Sequence, residues 1–370
     1  MTVARFVSGF NAFIPEAENQ LIGFMRSHTS YKYNQYVQLV PAKKRIGVYP
    51  KMHVDDPARL VNPNAFTWED GADRPDAGLG NGLRFDWAEF QTHRRNFPFR
   101  IGWLALEQSS LPLLSAHAAM VKNQALMDRT QKVIDLAETV GTWGDNTATA
   151  NVLNDGAGHL DEGSSDPASP NYLAIKKCFN EVCRRVHVSS NGAMAQWKDG
   201  EGDSAFDGLM AIMSPDAAIA LSNTSELHDY LARSPFALAQ VEGRKPGQNT
   251  MWGLPDILYG VKIIVEDALR VYEHPKASGA AATTVGGASA PRRYIKNSDS
   301  IIFCARPGGI QGVEGAPSWS TFQLYHYGKE LQLETEDDNR NRRTNGDVVI
   351  DDKVVVPASQ SGFLVTDVLA

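Results

Sequence analysis

The chain has little with which to build a disulfide framework, a membrane anchor or a nucleotide site. Its three cysteines are Cys178, Cys183 and Cys304. They are too few for a stapled small fold, and Cys178 and Cys183, five apart on an expected helix, do not share a face. A reducing cytoplasm is the simplest place of synthesis. No apolar run reaches the length of a membrane span, and Met1–Phe10 lacks the basic start and apolar stretch of a secretory leader. No membrane partner is therefore expected. There is no glycine–lysine loop of the kind that cradles phosphates and no nucleophile elbow. Gly78-Leu79-Gly80-Asn81-Gly82 has the wrong spacing for a dinucleotide loop and lies between strand-like runs, so it reads as a tight turn. Positive charge is not in excess either. A formal charge of −7 argues against a protein whose main task is to grip nucleic acid.

What is present is an ordinary globular balance, 42% hydrophobic and 21% charged, in 370 residues. That length suffices for two lobes and a sizeable core. The strongest helical periodicity runs from Leu104 to Val140. Leu113, His117, Met120, Met127 and Ile134 form its stripe, widened by Val121, Val133, Ala137 and Val140. Ser109 or Ser110 is the expected cap, Pro112 suits the first turn, and Gly141 ends the helix. His117, on the apolar face, reads as a hydrogen-bonded core or interface histidine.

The stretch before this helix is strand-and-turn sequence without helical pattern. YKYNQYVQLVP and RIGVYP are strand-like, and the glycine turn at 78–82 separates VNPNAFTWED from LRFDWAEFQTH, which reads as a long two-stranded excursion. Phe66, Trp68, Phe85, Trp87, Phe90 and Trp103 make it too aromatic for a solvated linker. An isolated ribbon is marginal in water, so its apolar face needs another surface, and a neighbouring subunit is one candidate. The short basic runs Lys43-Lys44-Arg45 and His93-Arg94-Arg95 are interspersed with acids and read as inter-subunit ion-pair partners. Glu334–Arg343, acids before bases, reads as a solvated hairpin turn, with a charge patch facing an identical neighbour as the alternative.

In the second half, Asn171–His187 is an expected helix with Tyr172, Ile175, Phe179, Val182 and Val186 on one face. Gly208–Met213 is a short buried strand. Ser214 caps a helix that has Pro215 at its first position, and a further helix covers Glu226–Ala232. LYGVKIIVEDA, SIIFCARP and SGFLVTDVL read as strands, TFQLYHYGKELQLETE with GDVVIDDKVVVP as an antiparallel pair, and His274–Pro291 as a flexible loop. His159, Asp161, Glu162 and Asp166 supply metal-type ligands, but they lie among glycines and serines without a recognised spacing, so a solvated loop is preferred. No catalytic, cofactor-binding or metal-binding residue is assigned, and no enzyme activity or cofactor is expected.

Taken in order, these parts resemble the major capsid protein of tailed bacteriophages, the Hong Kong 97-type capsid fold. The resemblance is carried by GLMAIMSPDAAIALSNTSELHDYL (Gly208–Leu231), MWGLPDILYGVKIIVEDAL (Met251–Leu269) and the closing DDKVVVPASQSGFLVTDVL (Asp351–Leu369). It implies an α+β chain divided into an N-terminal arm and lead-in strand (1–46), an extended two-stranded loop (47–101), a peripheral domain with the long spine helix (102–143 and 313–356) and an axial domain (144–312 and 357–370). It implies a structural subunit that self-assembles into pentamers and hexamers, forming the icosahedral shell of a virion around double-stranded DNA contacted without sequence preference. Synthesis would be in the host cytoplasm. No long scaffolding helix precedes the arm, so a separate scaffolding protein and a portal are the expected partners, with a decoration protein left open. Lys51 is the lone lysine of the extended loop, and no motif supports the covalent crosslinking of some relatives. Gly47 and Gly102 are the expected hinges, and removal of about Val48–Phe97 is expected to leave a folded subunit that does not assemble. The alternatives are a shell of the same fold that stores cargo protein, an encapsulin-like compartment, a phage tail or decoration component, and a soluble enzyme with a metal at His159–Asp166.

Overall fold

The computed structural model describes residues 31–51, 86–109, 112–190, 209–232, 252–271, 292–308 and 320–370. The expectations for Met1–Ser30, the glycine turn at 78–82, VNPNAFTWED and His274–Pro291 fall outside these residues. A short helix α1 (Tyr33–Tyr36) leads into β1 (Val37–Ala42) and β2 (Ile46–Lys51). Strands β3 (Asp86–Gln91) and β4 (His93–Gly102) and the short helix α2 (Trp103–Gln108) precede the long helix α3 (Leu113–Glu138). Next come β5 (Thr147–Thr149), α4 (Ala150–Leu153), α5 (Ala174–Ser189), β6 (Leu209–Met213), α6 (Pro215–Ser222) and α7 (Ser225–Ala232). Short strands follow: β7 (Ile257–Leu258), β8 (Val261–Val265), β9 (Leu269–Val271), β10 (Arg292–Tyr294) and β11 (Ser300–Ala305). The chain closes with β12 (Phe322–Tyr327), β13 (Gln332–Asp338), β14 (Arg343–Val355) and β15 (Phe363–Thr366).

The long helix is shorter than its periodicity predicts. It has 26 residues, with Pro112 at its N-cap and no side-chain cap from the preceding serines. That is about 39 Å at 1.5 Å per residue. It also ends before Gly141. Trp143 donates its indole N–H to the Ala137 carbonyl at 2.7 Å, and Thr142 donates its hydroxyl to Leu136 at 2.9 Å, so side chains of the following turn satisfy the last carbonyls. Of the expected stripe, Leu113, Val121, Val133, Ile134 and Ala137 are buried, whereas Met120 is exposed, His117 and Met127 are half-buried, and Val140 lies past the helix end. The reason is that the helix serves two cores. Leu113, Val121 and Ala125 pack on Phe99, Ile101, Val348 and Ile350, while Leu126, Val133, Ile134 and Ala137 pack with Tyr33, Tyr36, Ile302 and Phe322.

Two sheets flank this helix. In the first, the order is β1-β12-β14-β13, with β4 also on β14. β1 runs parallel to β12, and the other pairings are antiparallel. The expected antiparallel pair from 321 to 357 is present, and the charged turn closes the β13–β14 hairpin with Asp338 accepting from Asn341 and Arg343. β4 pairs with β14 from Arg343↔Gly102 to Asp352↔His93. Removing Val48–Phe97 would therefore cut through this ladder, so the deletion expected to spare the fold cannot extend past Thr92. Opposite Phe99 stands Gly346, where an added Cβ would lie 2.1 Å from the Phe99 ring. Only glycine leaves room for that aromatic to lie across the strand.

The second sheet has the order β5-β15-β11-β6-β8-β7. LMAIM and SIIFCA are buried at every position, as continuous apolar strands covered on both faces must be. The helix expected at Asn171–His187 is α5, with Ile175, Phe179, Val182 and Val186 buried against this sheet. Ser214 caps α6 as its sequence predicts, its hydroxyl accepting from the Ala217 N–H at 3.1 Å.

Two α5 cysteines report on this core. Burial pushes the Cys178 thiol up to about 12 and Cys183 up to about 11. In the unfolded chain each ionises near 8.5. The folded state therefore holds protons that the unfolded state gives up, and this stability, complete below about pH 8.5, is lost as pH rises toward the folded values. Urea midpoints measured from pH 8 to 10 should fall less steeply for Cys178→Ala than for the native chain. Parallel curves would refute the assignment.

Candidate assembly interface

Strands β2 and β3 form a separate two-stranded ribbon, paired from Ile46↔Gln91 to Lys51↔Asp86. The partner of β3 is thus IGVYPK. Alternation divides the ribbon into two faces. The inner face presents Tyr49 and Phe90, both buried with Val355, and Phe90 stacks on Tyr325 at 4.3 Å between ring centroids. Gly47 lies beneath this ring, where a Cβ would come within 2.8 Å of two Phe90 atoms. Its glycine is explained by packing within a ladder, which corrects the expectation of a hinge there. At Gly102 the backbone is ordinary extended chain (φ −70°) and an added Cβ would meet nothing within 4 Å, so neither conformation nor crowding requires glycine.

The outer face is different. Ile46 is 64%, Val48 57% and Trp87 63% exposed. Paired across the ribbon with Gln91, Glu89 and Pro50, they form an apolar strip rimmed by polar groups. Such a strip is a candidate interaction surface, because leaving it in water forfeits about 25 cal/mol for each Å² that could be buried. Behind the ribbon lies an open groove of 440 Å³ lined by Tyr49, Lys51, Leu136, Thr142, Lys353 and Pro357.

The basic runs behave otherwise than their sequence predicts. Arg45 makes a 2.8 Å ion contact with Asp351 and lies over the Tyr327 ring. Arg94 reaches Glu334 at 3.4 Å, and Arg95 bridges Asp128 and Asp352. These partners are in the same chain, which corrects the inter-subunit reading of these arginines. The physical reason is the placing of β4 on β14, which sets Arg95 opposite Ile350, two residues before Asp352 on the neighbouring strand, and beside Asp128 of α3.

Asp352 belongs to a buried charge cluster that the sequence reading missed. Arg129, wholly buried on α3, donates from Nε to Asp352 at 2.8 Å and from Nη1 to Glu330 at 2.6 Å and the Tyr33 hydroxyl at 3.1 Å. Its Nη2 donates to the Glu330 carbonyl at 3.0 Å. A signal existed: Arg129 shares the helical phase of Leu126 and Val133, where a charge needs a partner.

The acidic loop does not converge. His159 Nδ1 lies 3.3 Å from the Asp367 carbonyl, Asp161 accepts from the Ala370 N–H, Glu162 from the Asn171 side chain and Asp166 from the Ala168 N–H. Among the described residues no three His, Cys, Asp or Glu side chains group as metal ligands. His117 stacks on Phe99 at 6.4 Å. Among the described residues no helix is long and apolar enough to cross a membrane.

No family model matches the chain, and no curated protein matches it in sequence. Solved structures do match in shape. A phage-related protein of Bordetella bronchiseptica is 13% identical, with a TM-score of 0.54, over 94% of this chain and 95% of that one. The mature capsid subunit of bacteriophage PhiM1 is 12% identical, with a TM-score of 0.51, over 93% and 88%. The capsid of the cyanophage P-SCSP1u gives 9%, 0.50, 93% and 92%. At such identities likeness speaks for shape, and it spans nearly the whole chain: this protein has the α+β fold of phage capsid subunits, the Hong Kong 97-type capsid fold.

Proposed function

We propose that the chain is a structural subunit of an icosahedral phage shell. It self-assembles into pentamers and hexamers around double-stranded DNA and resides in the virion, with a scaffolding protein and a portal as further partners. The observation that carries this reading is the ribbon. Its inner face is spent on its own sheet, and its outer face offers Ile46, Val48 and Trp87 to something outside the chain. A shell supplies that surface on every subunit, and many modest contacts in a closed lattice add to a stable particle.

In this reading the arm and lead-in strand (1–46) and the extended loop (47–101) contribute β1 and β4 to the sheet of the peripheral domain (102–143 and 313–356), and the axial domain (144–312 and 357–370) holds the six-stranded sheet with α5, α6 and α7. The ribbon is the root of the extended loop.

Negative-stain electron microscopy of the purified recombinant chain after size-exclusion chromatography tests the reading. Closed isometric shells, or free pentamers and hexamers, are expected. A monodisperse monomer or dimer that stays small at high concentration would rule out assembly by the chain alone and leave only assembly on a scaffold. Particles filled with a cargo protein in place of nucleic acid would move it to a storage compartment.

A further inference from the structure

Basic side chains cluster on one further element, α5, where Arg184 and Arg185 are paired with Glu181 and Lys176 and Lys177 carry the remaining positive charge. Its sequence AIKKCFNEVCRRVHVS has four lysines and arginines against one acid, Glu181, in a chain of net charge −7. At 100° per residue, Ile175, Cys178, Phe179, Val182 and Val186 fill the buried arc. The opposite arc holds Lys176, Lys177, Asn180, Arg184 and His187 together with Glu181 and Val188, and Lys176, Asn180, Arg184, His187 and Val188 are exposed. The single acid is balanced in place, since Glu181 accepts from Arg184 at 2.7 Å and from Arg185 at 2.8 Å.

The helix is also held rigidly. Glu226, buried under its N-terminus, accepts from the Ile175 and Lys176 N–H groups at 2.9 Å each. Ser189 at its other end donates to the Gln360 carbonyl at 2.7 Å. Glu226 occupies the helix N-terminus, so an anion would be met by side chains along the outer face. From Lys176 to His187 this face runs about 16 Å. One strand of a DNA duplex presents a phosphate about every 3.4 Å along its axis, so roughly five phosphates lie within that span.

We propose that the outer face of α5 is a contact surface for the phosphate backbone of duplex DNA, read without regard to sequence. The inference deepens the shell reading by naming where an otherwise acidic subunit touches its contents, and it rests on that reading for its biological partner.

The test is fluorescence anisotropy of a short labelled DNA duplex titrated with the full soluble chain between 50 and 200 mM salt. Lys176→Gln with Lys177→Gln should lower the slope of log K against log salt by about 1.8, two phosphate contacts at about 0.9 each. Lys43→Gln with Lys44→Gln removes the same charge from another exposed site and should leave the slope unchanged. Equal slope losses in both variants, no loss in the α5 variant, or no binding by the native chain at 50 mM salt would overturn the proposal. Microscopy separates the two readings. Shells without α5-dependent binding retain the shell and discard this surface, whereas α5-dependent binding without shells retains this surface and rules out assembly by the chain alone.

Discussion

A chain carrying Ile46→Lys, Val48→Lys and Trp87→Lys should purify as a folded, small species that forms no particles. All three positions lie on the outer face of the ribbon and are more than half exposed, so they contribute little to the subunit's own core. Burying one large apolar side chain is worth about 1.5–3 kcal/mol. Three together therefore place on the order of 5 kcal/mol at each contact, several thousandfold in its equilibrium constant. Replacing them by lysines also sets three charges against whatever the strip meets. A lattice multiplies the loss, since every subunit repeats it. Sedimentation velocity together with far-UV circular dichroism reads both halves of the expectation. Particles of native size from this variant would show that the strip is not an assembly contact.

The second large effect is internal. Arg129→Met should destabilise the subunit by about 3 kcal/mol, the lower part of the range for breaking a buried ion pair. Arg129 is wholly buried and Asp352 nearly so, and the substitution withdraws four hydrogen bonds at once. Arg95 remains to face Asp352, which keeps the loss from being larger. Glu330→Gln removes a charge at the half-exposed end of the same cluster and should cost less than about 1 kcal/mol, as exposed pairs do. Urea unfolding of the two variants beside the native chain decides the matter. Similar midpoints for Arg129→Met and Glu330→Gln would mean that the guanidinium is not the centre of the cluster.

Much of the architecture was legible in the sequence because local chemistry and tertiary packing agree there. LMAIM, SIIFCA, the Ser214-Pro215 helix start and the apolar face of α5 each have one physical reading, and the structure has the same elements. Where a residue's environment comes from a distant strand, the sequence misled. Arg94 and Arg95 looked available for a neighbour until β4 was placed beside β14, and Arg45 until the start of β2 was placed beside Asp351. The long helix gave its length approximately and most of its face, missing Ala125 and Leu126, because a helix that turns from one core to another has no single stripe. Gly47 illustrates the same limit. Its glycine is set by the ring of Phe90 across the ladder, a constraint that becomes visible only when the two strands are paired.

Strand β14 imposes a rule on sequence length. Along its thirteen residues Val348, Ile350 and Asp352 face the long helix and its cluster, while the alternate positions face away. Partners β4, β13 and β12 are all registered to it. One inserted or deleted residue within 343–355 would exchange the two faces beyond that point and set three strands out of step at once. Variation in length must therefore be absorbed at the hairpin turn after Asp338 or in the connection after Tyr327, leaving this segment fixed in length while its neighbours drift.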